Sequence, residues 1–269
     1  MSAQILDGKA LAAEIRSEVK TQVATLAEKG VSTALAVILV GDDSASQVYV
    51  RNKIKACADT GIRSLEFRMP AETTQQQLLA KIAELNADGS VDGILVQLPL
   101  PKQINADAVI SAIDPAKDVD GFHVANAGAL VTGKQGFVPC TPFGVMRLIE
   151  KSGVNPRGKS AVIVGRSNIV GKPMALLLLA ADATVTVAHS RTPDLSAVTR
   201  NADILVAAAG RAKLIKADMV KPGAVVIDVG MNRDENGKLC GDVDFAEVKE
   251  IAGSITPCLL YTSPSPRDR

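Results

Sequence analysis

The residues best placed for proton chemistry in this 269-residue chain are Tyr49 and Lys53, four apart and so on one face of any helix that carries them. A lysine partly withdrawn from water has a lowered pKa and can act as an acid or base near neutral pH. Helix surfaces also commonly carry an aromatic beside a solvated lysine with no such role. Weighing for chemistry, the chain has two tyrosines and no tryptophan, so Tyr49 is one of few places where a flat ring could stack. Gln97 lies near the end of a strand predicted over 93–98, a neutral amide at the carboxyl end where open α/β sheets bind ligands. Taken singly it reads equally as a loop cap. Asp120 sits in Asp118-Val119-Asp120-Gly121, which fits a turn whose aspartates bond their own backbone. A metal is the poorer reading, because no further carboxylates or histidines cluster at ligand spacing; Asp120 could instead accept hydrogen bonds from a ring amino group.

The second half is organised around residues 159–181, KSAVIVGRSNIVGKPMALLLLAA. A short β-branched run turns through Gly165-Arg166-Ser167-Asn168 and continues from Ile169 into good helix formers. Strand, glycine turn and helix make the first βα unit of a dinucleotide fold, in which backbone N–H groups at the helix N-terminus receive a pyrophosphate. The glycines are spaced G-x5-G rather than G-x-G-x-x-G, so the turn alone suits a scaffold unit as well as a cofactor site. The next apolar strand tips the balance. It runs into His189-Ser190-Arg191-Thr192, where an NAD site ordinarily has a carboxylate for the ribose diol. Hydroxyl and guanidinium groups there, with Arg166 in the first turn, suit the 2′-phosphate of NADP instead.

Alternating elements are expected to hold these groups. Asp7 caps a helix to about residue 29, with Leu11, Ile15, Val19, Val23 and Leu26 on one face and Gly30 as its stop. A buried strand follows over 34–40. Ser44 with Gln47 reads as a capping box for the helix of Tyr49 and Lys53, and Thr73 with Gln76 as another, for a helix to residue 87. Strands over 62–68 and 93–98 complete an α-β-α-β-α-β order, which means a parallel sheet covered by helices. One more helix is expected over 105–113, then a loop over 126–138, and Thr141-Pro142 at N-cap and N1 of a bridging helix to residue 151. Strands near 160–164, 184–187, 204–207 and 224–229 repeat the alternation.

The length suggests two domains, each able to bury a core. With 47% hydrophobic and 22% charged residues, the composition is that of a soluble globular protein. A formal net charge of +1 argues against a nucleic-acid surface or a polybasic membrane patch. The longest apolar run, over 174–181, falls far short of the ~18 residues of a membrane span, and the charged N-terminus lacks a secretory pattern. The four cysteines are scattered, with no C-x-x-C pair and no histidine at ligand spacing, so reduced thiols, a cytoplasmic location and no metal are expected.

The motifs YVRNK (49–53), VQLPLP (96–101), DVDGF (118–122), PCTPFG (139–144), VIVGRSNIVGKP (162–173), HSRT (189–192) and DVGMNR (228–233) resemble, in this order, the bifunctional methylenetetrahydrofolate dehydrogenase/methenyltetrahydrofolate cyclohydrolase family, the FolD type. Their conjunction over residues 1–257 is specific, although each motif alone is weak. The resemblance implies an α/β fold of two domains: an N-terminal three-layer catalytic domain over 1–140 and a C-terminal Rossmann-type NADP-binding domain over 141–257, with the active site in the cleft between them. It implies NADP-dependent oxidation of 5,10-methylenetetrahydrofolate and hydrolysis of the methenyl product to 10-formyltetrahydrofolate, within one-carbon metabolism and purine biosynthesis, by a homodimer. Lys53 would be the general acid/base of hydrolysis and Gln97 would hold and tune it. Tyr49 would stack on the folate ring system, and Asp120 would bind the pterin. Gly165, Arg166, Ser167 and Ser190 would take the NADP phosphates, and Met231 would line the cofactor pocket through its backbone.

After Pro257 the family continues with a Gly-rich loop and a final helix, whereas residues 258–269 read CLLYTSPSPRDR, Ser/Pro-rich and without an apolar period. They are expected to be out-of-frame or appended sequence outside the fold, leaving the chain less active, less stable, or both. Two other readings stand beside the leading one. An NADP-dependent dehydrogenase of another small substrate explains 159–233 but neither YVRNK nor VQLPLP; a non-catalytic NADP-binding module rests on the altered C-terminus alone.

Overall fold

The computed structural model describes residues 2–257, so the unusual tail expected over 258–269 lies outside the described residues. The described chain divides into two compact units, residues 14–138 and residues 2–13 with 139–257. In chain order the first elements are β1 (Gln4–Ile5), α1 (Gly8–Glu28), β2 (Ala34–Val40), α2 (Ser44–Thr60), β3 (Arg63–Met69), α3 (Gln75–Ala87), β4 (Gly93–Val96), α4 (Ala106–Ala112) and α5 (Val124–Thr132). There follow α6 (Cys140–Lys151), β5 (Ser160–Val164), α7 (Gly171–Ala180), β6 (Thr184–Ala188), α8 (Leu195–Thr199), β7 (Ile204–Ala207), β8 (Val225–Asp228), β9 (Asn232–Arg233), β10 (Leu239–Cys240), α9 (Phe245–Val248) and β11 (Ser254–Ile255). No described helix is long and apolar enough to cross a membrane.

In the unit over 14–138, β3, β2 and β4 form a parallel sheet with β2 in the middle. Period-two alternation sends Ala36, Ile38 and Val40 of β2 to one face, where they meet Leu78, Ile82 and Leu85 of α3 and Val109 of α4. Val37 and Leu39 face the other way, onto Val50 of α2. A strand buried on both faces needs an unbroken apolar sequence, which ALAVILV supplies.

The helix starts differ from expectation by small, physically explicable shifts. Asp43, not Ser44, caps α2, its carboxylate accepting the Ser46 N–H at 2.8 Å. The exposed carboxylate also carries the charge that a helix N-terminus favours. The capping box before α3 is Thr74 with Gln77, while Thr73 is buried. α6 starts at Cys140 after Pro139 without a side-chain cap, so Thr141 and Pro142 sit inside the helix. The stretch 126–138, expected as loop, is helical as far as Thr132. α5 buries only Asn126 and so shows no apolar face to read; His123 caps it by accepting the Ala125 N–H on Nδ1 at 3.0 Å.

In the second unit six strands run parallel in the order β1-β11-β8-β7-β5-β6. β1 opens the chain yet pairs with β11, Gln4 beside Ser254. β5 is flanked by β6 on one side and β7 on the other, so successive strands are laid down in opposite directions from it. That reversal is the switch point of an open α/β sheet, where ligands bind at the carboxyl edge. Val162, Leu205, Val226 and Ile255 fill the core beneath it.

Candidate functional site

In the unit over 14–138, α2 buries Val50, Lys53 and Cys57 along one side, so Lys53 occupies a position that its neighbours fill with apolar groups. Lys53 and Gln97 are each only 5% exposed, and Lys53 Nζ donates to Gln97 Oε1 at 2.8 Å. The Gln97 amide nitrogen donates to the Leu98 carbonyl at 2.7 Å, which orients the amide with its oxygen toward the lysine. β4 delivers Gln97 one residue past its carboxyl end, just before a cis Leu98–Pro99 peptide. Burial pushes the Cys57 thiol up, against the nearby Lys53 charge, so this thiol stays un-ionised and is a packing group rather than a nucleophile. Tyr49 stands half-buried one turn before Lys53.

Asp120 is buried in the turn closed by the Gly121 N–H on the Asp118 carbonyl at 3.0 Å. A bridge from Asp118 to Ile94 ties that turn to β4, the strand that leads to Gln97. Gly93 permits the approach, since a Cβ there would lie 2.4 Å from Val119 Cγ1. Asp118, which the sequence did not single out as a site residue, accepts the His123 N–H at 2.8 Å and the Asn126 amide at 2.9 Å, and so fixes the turn from behind.

In the six-stranded unit, Gly165 follows β5 with a φ of +133°, and a Cβ there would stand 2.1 Å from the Ala208 carbonyl oxygen, so only glycine fits. Arg166 and Ser167 follow it, both exposed. α7 begins only at Gly171, and Ser167 Oγ accepts the N–H groups of Val170 at 3.1 Å and Gly171 at 3.3 Å. Those two donors are therefore spent inside the protein, while the hydroxyl keeps its own proton to donate outward. Past β6, the turn 189–192 is tied by the Thr192 N–H to the His189 carbonyl at 2.8 Å and the His189 N–H to Thr192 Oγ1 at 2.9 Å. Ser190 and Arg191 are exposed on it. With Arg166 and Ser167 they form a donor set without a carboxylate, which suits a phosphate-bearing cofactor. Met231, half exposed, lies past β8. The loops after β6, β5, β7 and β8, four neighbouring strands, thus share one edge of the sheet.

Two functional candidates escaped the sequence. Asp228 and Asp242 are both fully buried. Asp228 accepts three backbone N–H groups, from Gly230, Asp242 and Val243, and burial nevertheless pushes its carboxyl up to about 7, with the Asp242 charge adding to the rise. Asp242 accepts the N–H groups of Ala209, Gly210 and Arg211 and the Asn232 amide. The sequence marks them only indirectly: Asp228 opens the motif DVGMNR without a role of its own, and a glycine stands beside each site, where a Cβ on Gly230 or Gly241 would collide with one of these carboxylates.

The catalytic-domain model of the tetrahydrofolate dehydrogenase/cyclohydrolase family matches residues 6–120, and its NAD(P)-binding-domain model residues 139–260. The Bifunctional protein FolD of Methylibium petroleiphilum is 62% identical over 257 residues, 96% of this chain and 91% of the relative. That of Cupriavidus necator is 63% identical over 257 residues, with the same coverage of 96% and 91%. Among solved structures, the bifunctional FolD methylenetetrahydrofolate dehydrogenase/cyclohydrolase of Campylobacter jejuni aligns with a TM-score of 0.95 at 51% identity, covering 99% of this chain and 94% of that one. The Trypanosoma brucei FolD, complexed with NADP cofactor and inhibitor, aligns at 0.92 with 40% identity, covering 100% and 94%. With both domain models matched in order and such identity across nearly the whole chain, the protein belongs to the tetrahydrofolate dehydrogenase/cyclohydrolase family, bifunctional enzymes of one-carbon metabolism.

Proposed function

We propose that this chain oxidises 5,10-methylenetetrahydrofolate to the methenyl form with NADP and hydrolyses it to 10-formyltetrahydrofolate, with the residues described above in defined roles. The buried Lys53–Gln97 hydrogen bond of 2.8 Å is the observation that carries the assignment. Addition of water to the cationic methenyl carbon and opening of the ring require removal of a proton from the water and delivery of one to the departing ring nitrogen, while the second water proton is lost to solvent as the formyl C=O forms. Lys53, held in place by Gln97, performs both transfers. Tyr49 stacks on the folate ring system, and Asp120 accepts hydrogen bonds from the pterin amino group.

When bound, NADP supplies the hydride-accepting ring. Arg166, Ser167 and Ser190 hold its phosphates, Gly165 allows the backbone to approach them, and Met231 lines the pocket through its backbone. Residues 1–140 serve as the folate-binding catalytic domain and 141–257 as the cofactor domain, with residues 2–13 lending β1 to the sheet of the cofactor domain. The family resemblance supports a cytoplasmic homodimer. The test is an absorbance assay with NADP and 5,10-methylenetetrahydrofolate that follows reduced cofactor and methenyl product together. Reduced cofactor without lasting methenyl product is the expected result; a cooperatively melting protein that gives neither signal overturns the proposal for this chain.

A further inference from the structure

At the switch point of the six-stranded sheet the carboxyl-edge crevice is bounded by the loop after β5 and the loop after β7. The two loops are in contact, because the space of a Gly165 side chain is taken by the Ala208 carbonyl. Whatever fixes residues 208–211 therefore sets one wall of the crevice. Three successive backbone N–H groups of that loop converge on one side chain. Asp242 Oδ2 accepts from Ala209 and Gly210, the latter at 3.0 Å, and Oδ1 accepts from Arg211 at 2.8 Å. Such a concavity of N–H groups ordinarily binds an anion, and here the protein fills it with its own carboxylate.

The same Oδ1 accepts the Asn232 amide at 2.8 Å, so one carboxylate couples the loop after β7 to the segment that carries Met231 after β8. Asp242 is itself anchored, its N–H donating to Asp228 Oδ1 at 2.9 Å and its carbonyl accepting the Ile215 N–H at 2.9 Å. Gly230 keeps the space clear, since a Cβ there would stand 2.2 Å from Asp242 Oδ1. We propose that Asp242 is a positioning residue of the cofactor site: it holds the β7 and β8 loops in the spacing that admits NADP. The proposal rests on the assignment of this crevice to NADP.

The near-isosteric Asp242→Asn offers one acceptor oxygen and turns an amide N–H2 against backbone donors, so the loops come apart locally. The test measures NADPH binding by fluorescence titration, thermal melting, and hydrolysis of supplied methenyltetrahydrofolate, in the full chain and in Asp242→Asn and Asn232→Ala. Asp242→Asn is expected to melt cooperatively, to bind NADPH at least about tenfold more weakly, and to hydrolyse at close to the wild-type rate. Asn232→Ala, which removes one of the four bonds, is expected to weaken NADPH about threefold. Wild-type NADPH affinity in Asp242→Asn overturns the inference, as does equal loss of binding and hydrolysis; if that variant does not fold, unchanged affinity in Asn232→Ala does so. A wild-type chain that binds no NADPH is a separate result, which removes the cofactor assignment and this inference with it.

Discussion

Arg166 and Ser190 belong to loops after adjacent strands, both exposed, and neither side chain is needed for the core. A hydrogen bond to a charged phosphate contributes about 1.5–3 kcal/mol, so removing two of them costs a factor of ~10² or more in affinity. Arg166→Ala with Ser190→Ala is therefore expected to lower kcat/KM for NADP by ~10² and to leave NAD within a few-fold. An unchanged NADP/NAD preference would count against the 2′-phosphate assignment. The candidate residues drew attention in the sequence by type and place: no carboxylate directly follows β6, and Lys53 stands one turn from Tyr49 at the edge of an apolar helix stripe. Asp242 was unreadable for the opposite reason. Its partners are mostly backbone N–H groups 31 to 33 residues away, and the sequence of those positions, Ala-Gly-Arg, carries no mark of the contact.

At the scale of elements, β8 ends on a carboxylate whose ionisation is coupled to the fold. In Asp228 burial outweighs the three N–H bonds that favour the charged form, and the folded carboxyl holds its proton up to about 7, against 3.8 for the ordinary group. Between those values the folded chain binds more protons than the unfolded one, so stability falls as pH rises through that window and levels off above it. The melting temperature is thus expected to drop from about pH 4 to about pH 7, and Asp228→Asn, though less stable overall, to lose that part of the slope. A wild-type and variant pair with the same pH dependence of melting would show that Asp228 is ionised in the folded state throughout. β2, β4, β5, β7 and β8 were legible as apolar runs and β3 as an alternation, and α1, α2 and α3 from their caps and periodicity to within a few residues. The two-residue strands β1 and β11 were not, because each is defined by a distant partner, and neither were β9 and β10, which pair with each other across a short turn and are too brief to show a pattern. α5 was missed because its buried residue is an asparagine bonded to Asp118 and the Pro115 carbonyl, not an apolar stripe.

For the whole molecule, alternation of strands and helices was enough to expect two α/β units, while the passage of the first strand into the second sheet depends on pairing with residues near the far end of the described chain. Two sheets of unequal size hold two kinds of chemistry. The three-stranded unit contains the buried lysine and the amide bonded to it; the six-stranded unit presents the exposed Arg166, Ser167 and Ser190, proposed here to hold the cofactor phosphates, on one edge. Hydride transfer depends mainly on positioning and on the cofactor's own chemistry, whereas hydrolysis needs proton transfer. Removing the proton carrier should separate the two reactions in one protein. The most direct test is Lys53→Gln, assayed for NADP reduction with 5,10-methylenetetrahydrofolate and for hydrolysis of supplied methenyltetrahydrofolate. Hydrolysis is expected to fall by ~10²–10⁴ while hydride transfer keeps most of its rate; equal loss of both in a variant that melts like the wild type would contradict the assignment of Lys53.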